Sequence, residues 1–194
     1  MVEKLAKDLV LRMSENQLIN VSDMDYYEYA ILSLVEHGIT IVTILLLGMI
    51  FKQFIPTICF LIFFFALRKR TGGYHADKFW KCYLGTSIIY ITVVVSASLL
   101  AERSVLLYGL LFYAVILIEV IGTINHPNLA LDTYELCEAK KAARLVVLLE
   151  LIIILTFIWL GLDKLYICYM SISIILCAVL LLLAKIIKQE VKEK

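Results

Sequence analysis

His75 and Cys82 stand seven residues apart, and together they have the chemistry to cut an acyl bond. The thiol is the nucleophile; the imidazole is first base and then acid. Both lie in the stretch Arg68-Lys69-Arg70-Thr71-Gly72-Gly73-Tyr74-His75-Ala76-Asp77-Lys78-Phe79-Trp80-Lys81-Cys82, which packs five basic side chains and a Gly-Gly pair into fifteen residues. A cysteine attacks as its thiolate, and a free thiol is mostly protonated at neutral pH, so a working cysteine needs help. Three helpers are legible. Asp77 can cap a helix that starts at Lys78, which sets Cys82 near the positive N-terminal end. Lys78 and Lys81 add positive charge. His75 can take the proton, hold it as imidazolium and return it to a leaving amine.

The spacing constrains the backbone. On one continuous helix, two residues seven apart share a face but are separated by about 10 Å along the axis. Proton transfer needs roughly 3 Å, so the chain must bend between them. Gly72 and Gly73 permit unusual backbone angles just ahead of the histidine, and Gly73 can let a substrate backbone pass close. The expectation is His75 on a loop, folded back over Cys82 in the first two turns of the next helix. A triad needs a third group to orient the imidazole; Asp77, Asn125, Asp132 and Glu135 all have the chemistry, and spacing does not choose among them. Taken singly, a cysteine at a helix end is commonly packing and a histidine at an interface commonly points to water. The combination with Gly-Gly and a basic run is what singles out the stretch.

The elements that must hold this loop are membrane helices. Of 194 residues, 62% are hydrophobic and 18% charged, and the mean hydropathy is +0.93. That composition is far more apolar than a soluble domain and leaves no length for a second large soluble domain. The first residues alternate charge with Leu, Val and Met, without the continuous apolar core of a cleavable signal. Five cysteines, an odd number with several deep in apolar runs, argue against a disulfide framework. Cys59, Cys168 and Cys177 read as small apolar groups within spans; Cys137 lies in a polar segment with no histidine close by in sequence.

Residues 1–20 show helical periodicity, with Leu5, Leu9 and Met13 against Lys4, Lys7, Asp8, Arg12 and Glu15. Such a helix can lie in the membrane interface; it can equally pack on loops or on a second subunit. Ser22-Asp23-Met24-Asp25 offers helix-start residues. Six apolar segments follow, at about 30–51, 54–67, 82–101, 104–124, 145–162 and 165–184, against the roughly 20 residues that a span requires. The second is short and contains Pro56, and the first carries Glu36 and His37, so both can be tilted or re-entrant.

With the N-terminus in the cytoplasm, fifteen of the 18 Lys and Arg residues fall on the inside and only Lys52, Arg103 and Lys164 outside, a strong positive-inside pattern. The expected fold is therefore an all-α polytopic integral membrane protein. It has about six transmembrane or re-entrant helices and an N-terminal amphipathic helix, with both termini cytoplasmic. The single membrane domain divides into the helix at 1–20, a bundle at 30–184 with cytoplasmic loops at 68–81 and 125–144, and a basic tail at 185–194. Glu119 and Glu150 fall inside apolar segments, where a carboxylate is costly and faces a bundle interior or a wet cavity. Glu119 reads equally as a site wall or as a structural group. Glu150, close to Arg144, reads as a helix-end carboxylate reaching water, or as a protonated one paired across helices. No repeat, phosphate loop or zinc spacing is present. The basic residues line membrane edges and form no nucleic-acid patch, so neither cofactor, metal nor nucleic acid is expected.

These residues resemble a known family. Arg-x-x-x-x-Gly-x-His-Ala, then Phe-Trp and a cysteine seven positions after the histidine, is similar to accessory gene regulator B (AgrB), the membrane endopeptidase of Gram-positive peptide quorum sensing. Length, hydropathy, the amphipathic start and the basic second loop agree. Asn125-His126-Pro127-Asn128 followed by Lys140-Lys141 resembles that family's Pro-Asn-Lys-Pro and paired-basic region, although Leu129-Ala130 stands where Lys-Pro is usual. The resemblance implies that Cys82 attacks the junction between signal and acidic tail of an AgrD-like precursor peptide, with His75 as base and then acid. The signal would remain on Cys82 as a thioester until an internal cysteine or serine displaces it, giving a thiolactone or lactone ring. It further implies that Arg68 and Gly73 correspond to the family's arginine and glycine, that Asp77, Lys140 and Lys141 shape the site or bind the tail, and that the protein is a homodimer at the cell membrane. Fifteen inside basic residues would attract an acidic tail and anionic membrane lipid alike. The contrasting class is a small non-enzymatic permease or peptide-export subunit in which His75 and Cys82 line a cytoplasmic gate.

Overall fold

The computed structural model describes residues 2–72, 79–125 and 132–187. Among them are seven α-helices, one turn of 3-10 helix at Val21–Asp23, and no strand. The helices are α1 Val2–Glu15, α2 Met24–Ile50, α3 Phe54–Thr71, α4 Phe79–Glu102, α5 Ser104–Ile121, α6 Thr133–Trp159 and α7 Lys164–Ile186. All but α3 of the last six are long and apolar enough to cross a membrane. The chain is an all-helical polytopic membrane protein. Helix α3 falls short because Arg68, Lys69 and Arg70 occupy its last turn. Its fourteen apolar residues, 54–67, rise only about 21 Å at 1.5 Å each, against a hydrocarbon core about 30 Å thick.

The chain forms two compact units, Met1–Ile44 and Leu45–Lys194. In the first, α1 is amphipathic, but Leu9, expected on its apolar face, is 49% exposed. Ala6 and Val10, four apart on one face, are buried, while Lys7, Asp8 and Arg12 are exposed. The turn at Val21–Asp23 then leads into α2.

The second unit is built around α7. Helix α7 is apolar along most of its length and packs against α3, α4, α5 and α6. Residues Cys168, Tyr169, Met170, Ser171, Ile172, Ser173 and Ile174 are all buried, as are Cys177, Ala178, Leu181 and Ala184 one to three turns on. Two of its thiols reach carbonyls of neighbouring helices: Cys168 Sγ donates to Ala97 O of α4 at 3.3 Å, and Cys177 Sγ to Phe64 O of α3 at 3.7 Å. These weak bonds tie the central helix to both helices that flank the proposed catalytic stretch. Helices α3 and α4 are also joined directly, by Thr57 Oγ1 and Tyr90 OH at 2.5 Å, with the Phe60 and Tyr90 rings 5.8 Å apart.

Helix α6 starts twelve residues before the apolar segment at 145. The reason is local. Asp132 Oδ1 accepts from the Glu135 N–H at 2.7 Å, and Glu135 Oε2 accepts from the Asp132 N–H at 3.1 Å, a capping box that satisfies two otherwise orphaned donors. Much of the polar segment at 125–144 is therefore helix. Glu150 consequently lies some five turns into α6. It is buried, and neither of its carboxyl oxygens has a hydrogen-bond partner among the described residues. This corrects the expectation of a helix-end carboxylate in water.

Asp132→Ala removes the side-chain half of this cap and is expected to cost about 1 kcal/mol. Faster amide hydrogen exchange at Glu135 and Leu136, with Asp132→Ser behaving as wild type, is the expected outcome. Unchanged exchange in the alanine variant would show that α6 does not depend on its cap.

Candidate active site

Cys82 is the fourth residue of α4 and is exposed, so the thiol sits in the first helical turn where four backbone N–H groups lack intrahelical partners. Trp80 and Lys81, in the same turn, are exposed as well. His75, Gly73 and Asp77, together with Lys78 and His126, lie outside the described residues. The loop geometry expected for the imidazole and the proposed cap at Asp77 therefore rest on sequence.

Arg68, in the last turn of α3, is half-buried. Its placement is fixed by a reciprocal clasp at the end of α3. The Gly72 N–H donates to Arg68 O at 3.1 Å, closing the helix, while Arg68 Nη1 donates back to Gly72 O. Gly72 has φ of +63°, a conformation that residues with a Cβ rarely adopt. A Cβ there would also stand 3.1 Å from Ile124 O. The first glycine of the pair thus turns the chain off α3 in close contact with a second segment.

That second segment is residues 122–125, which follows α5. Thr123 Oγ1 donates to Arg70 O at 2.8 Å, and the Ile124 N–H donates to Thr71 O at 3.2 Å. Thr71, Thr123, Ile124 and Asn125 are all buried. The last carbonyls of a helix have no intrahelical donors, and here a segment some fifty residues further along the chain supplies them. Sequence reasoning singled out Asn125 but missed Thr123. A threonine after an apolar run carries no signal of a bond to a helix end so distant in the chain.

Two basic residues of α6 close this end of the bundle. A Cβ on Gly122, where φ is +73°, would approach Lys140 Cγ to 2.9 Å, so the Lys140 stem lies directly over the turn that ends α5. Arg144 Nε donates to Glu119 O at 2.9 Å, a cation on the negative end of α5. Lys141 is exposed and pairs with Glu138 at 2.9 Å, a surface contact worth little by itself. Lys140 and Arg144 thus have structural work at the α5 terminus, whereas Lys141 remains available on the surface.

The remaining thiols separate by environment. Cys137 is exposed on α6, Cys59 is half-buried, and Cys168 and Cys177 are buried and hydrogen-bonded to carbonyls.

The architecture defines a multi-pass helical membrane protein with an exposed thiol in the first turn of one helix. A family model described as accessory gene regulator B matches residues 2–186 of the chain. The protein belongs to that family, and membership implies involvement in processing the autoinducer of the accessory gene regulator system. No curated protein and no solved structure matches the chain.

Thiol reactivity should follow this burial. In detergent, maleimide is expected to modify Cys82 and Cys137 within minutes and to leave Cys168 and Cys177 unmodified until the protein is denatured. Rapid labelling of Cys177 in the folded protein, read by peptide mass spectrometry, would contradict the packing of α7 against α3.

Proposed function

We propose that the protein is a membrane cysteine endopeptidase that removes the C-terminal tail of an AgrD-like precursor and hands the remaining peptide on for cyclisation. The observation that carries this reading is the coincidence of the family match with an exposed Cys82 in the first turn of α4, seven residues after His75 in the chain.

In the proposed reaction the Cys82 thiol gives its proton to His75, and the sulfur attacks the carbonyl carbon at the junction between signal and tail. The carbon–nitrogen bond breaks, the tail amine takes the proton back from His75, and the signal remains as a thioester on Cys82. A thiol or hydroxyl within the signal then attacks the same carbonyl. Cys82 leaves as thiol, and a thiolactone or lactone ring closes. Exchange of one thioester for another is close to neutral in energy, so ring closure to a thiolactone needs no nucleotide. The N-terminal end of α4 favours negative charge beside the reacting thiol. A site at the membrane face is well suited to shielding the acyl-enzyme from water.

The reading places this end of the bundle, with both chain termini, in the cytoplasm, on the strength of the distribution of Lys and Arg. Gly73 gives the substrate backbone close passage, and Asp77 caps α4. Lys141, whose surface pair with Glu138 is easily exchanged, meets the acidic tail, while Lys140 shapes the site by covering Gly122. A precursor held on the same membrane surface reaches the thiol in two dimensions, which raises its effective concentration. The enzyme works as a homodimer in contact with anionic lipid.

The test is intact-protein mass spectrometry on liposomes that hold the protein and its precursor. Wild type is expected to show a covalent adduct on Cys82 and a released tail, and Cys82→Ala neither. His75→Ala is expected to cut at least about 100-fold more slowly, the range for loss of a general base. Tail release that persists in Cys82→Ala would rule out the thiol as nucleophile.

A further inference from the structure

Helix α3 starts lower in the second unit than its neighbours do. Cys177 of α7 meets the carbonyl of Phe64 on α3. Phe64 is ten residues on from Phe54, where α3 starts, and Cys177 is thirteen on from Lys164, where α7 starts. The difference of three residues is about 4.5 Å, most of a turn. The bond between Thr57 and Tyr90 agrees, because it sets the first turn of α3 beside the middle of α4, twelve residues before that helix ends at Glu102. The shortfall leaves a hollow of about 440 Å³, lined by Phe54, Ile55 and Pro56 of the first turn of α3 and by Tyr166 of the first turn of α7. Lys52 and Asp163, from the turns that precede these two helices, line it as well.

Both charges are placed by the backbone. The Lys52 N–H donates to Met49 O at 3.0 Å and the Gln53 N–H to Gly48 O at 2.7 Å, closing α2. Lys52 takes φ of +57° there, where glycine is the usual residue; the turn needs only a glycine, and the lysine adds a cation. A Cβ on Gly48 would collide with Thr57 Oγ1, so the end of α2 lies tightly on the first turn of α3. Asp163 Oδ1 accepts from the Leu165 N–H at 2.9 Å, which caps α7 and fixes the carboxylate. Among the described residues the ion pair is Lys141 with Glu138, so Lys52 and Asp163 share a hollow without neutralising each other. Gln53 makes no side-chain cap to α3, and the N-terminal end of that helix adds to the field that favours an anion beside Lys52.

We propose that this hollow binds the headgroup of a phospholipid that carries both a phosphate and an ammonium group, with the phosphate on Lys52 and the N-terminal end of α3 and the ammonium on Asp163. A simple anion would leave Asp163 unmatched, and a simple cation would leave Lys52 unmatched. The zwitterion satisfies both. Phe54 and Ile55 are exposed beside the charges, which suits a ligand with acyl chains and not a soluble one. A bilayer meets a short helix by thinning locally, and a lipid seated one turn lower over α3 supplies that thinning. The site lies at the opposite end of α3 from residues 122–125, and the proposal does not depend on the endopeptidase reading.

The test uses the full-length protein in detergent micelles with a phosphatidylethanolamine that carries a diazirine in its acyl chain close to the glycerol, and maps crosslinked peptides by mass spectrometry. Crosslinks are expected at residues 51–56 and 163–167. Unlabelled phosphatidylethanolamine should displace the probe from them at a several-fold lower concentration than phosphatidylglycerol with the same acyl chains. Asp163→Asn keeps a good helix cap and removes the charge; it should abolish that advantage. Lys52→Asn, a residue that tolerates the left-handed turn, should lower crosslinking there several-fold, while Lys185→Gln, at another membrane edge, should leave it unchanged. Equal displacement by the two lipids in the wild-type protein would overturn the proposal, and that comparison needs no variant to fold. An advantage that survives in Asp163→Asn would overturn it too. Displacement by free phosphoethanolamine as effective as by the whole lipid would show a soluble ligand and overturn the assignment to lipid.

Discussion

The second unit depends on one interaction, the packing of α7 against four other helices. Lipid can cover an apolar helix as readily as protein can, and the hydrophobic effect alone does not pull membrane helices together. Close packing and polar contacts do. In α7 the small residues Ser171, Ser173, Ala178 and Ala184 let neighbouring backbones approach, and Cys168 and Cys177 reach carbonyls on α4 and α3. Cys82, at the start of α4, is exposed, whereas these two thiols lie buried in α7. The thiol proposed for chemistry and the thiols that hold the bundle are therefore distinguished by place along the helix axis and not by residue type.

The same end of the bundle shows how a membrane protein handles unsatisfied backbone. Within hydrocarbon every N–H and C=O must find a partner inside the protein, and helix ends are where partners run out. Here α3, α5 and α6 share donors at their termini. Arg68 and Thr123 serve the carbonyls that end α3, Arg144 serves one that ends α5, and Asp132 and Glu135 serve the amides that begin α6. Basic residues clustered at this end thus also close helix termini. One population of charge does two jobs, and this limits what can be read from its sign alone. Lys140 lies over Gly122 for packing, while Lys141 beside it has no such duty and remains on the surface.

Glu150 shows where reading by local pattern fails. Its distance from Arg144 suggests a carboxylate near a helix end, because the apolar segment opens at 145. The capping box at Asp132 and Glu135 moves the start of α6 back and carries Glu150 into the interior. The box is legible as Asp-x-x-Glu, but in a chain this apolar the hydropathy pattern outweighs so short a signal. Thr123 is the opposite case, since no closer reading of the residues around it would have shown its acceptor on another helix.

By itself the sequence determined whatever depends on residues near one another in the chain. Composition and run length dictate a helical membrane protein, because backbone in lipid has few alternatives. The spacing of charge along residues 1–20 dictates an amphipathic helix. The His–Cys motif and the basic run carried the family, which the match over residues 2–186 bears out. Only the tertiary structure decided which helix is central and what closes the end of α3. Those outcomes turn on contacts such as Thr123 with Arg70 and Cys177 with Phe64, between residues 53 and 113 positions apart. Such contacts arise from how whole helices pack, a property that no local pattern of residues encodes.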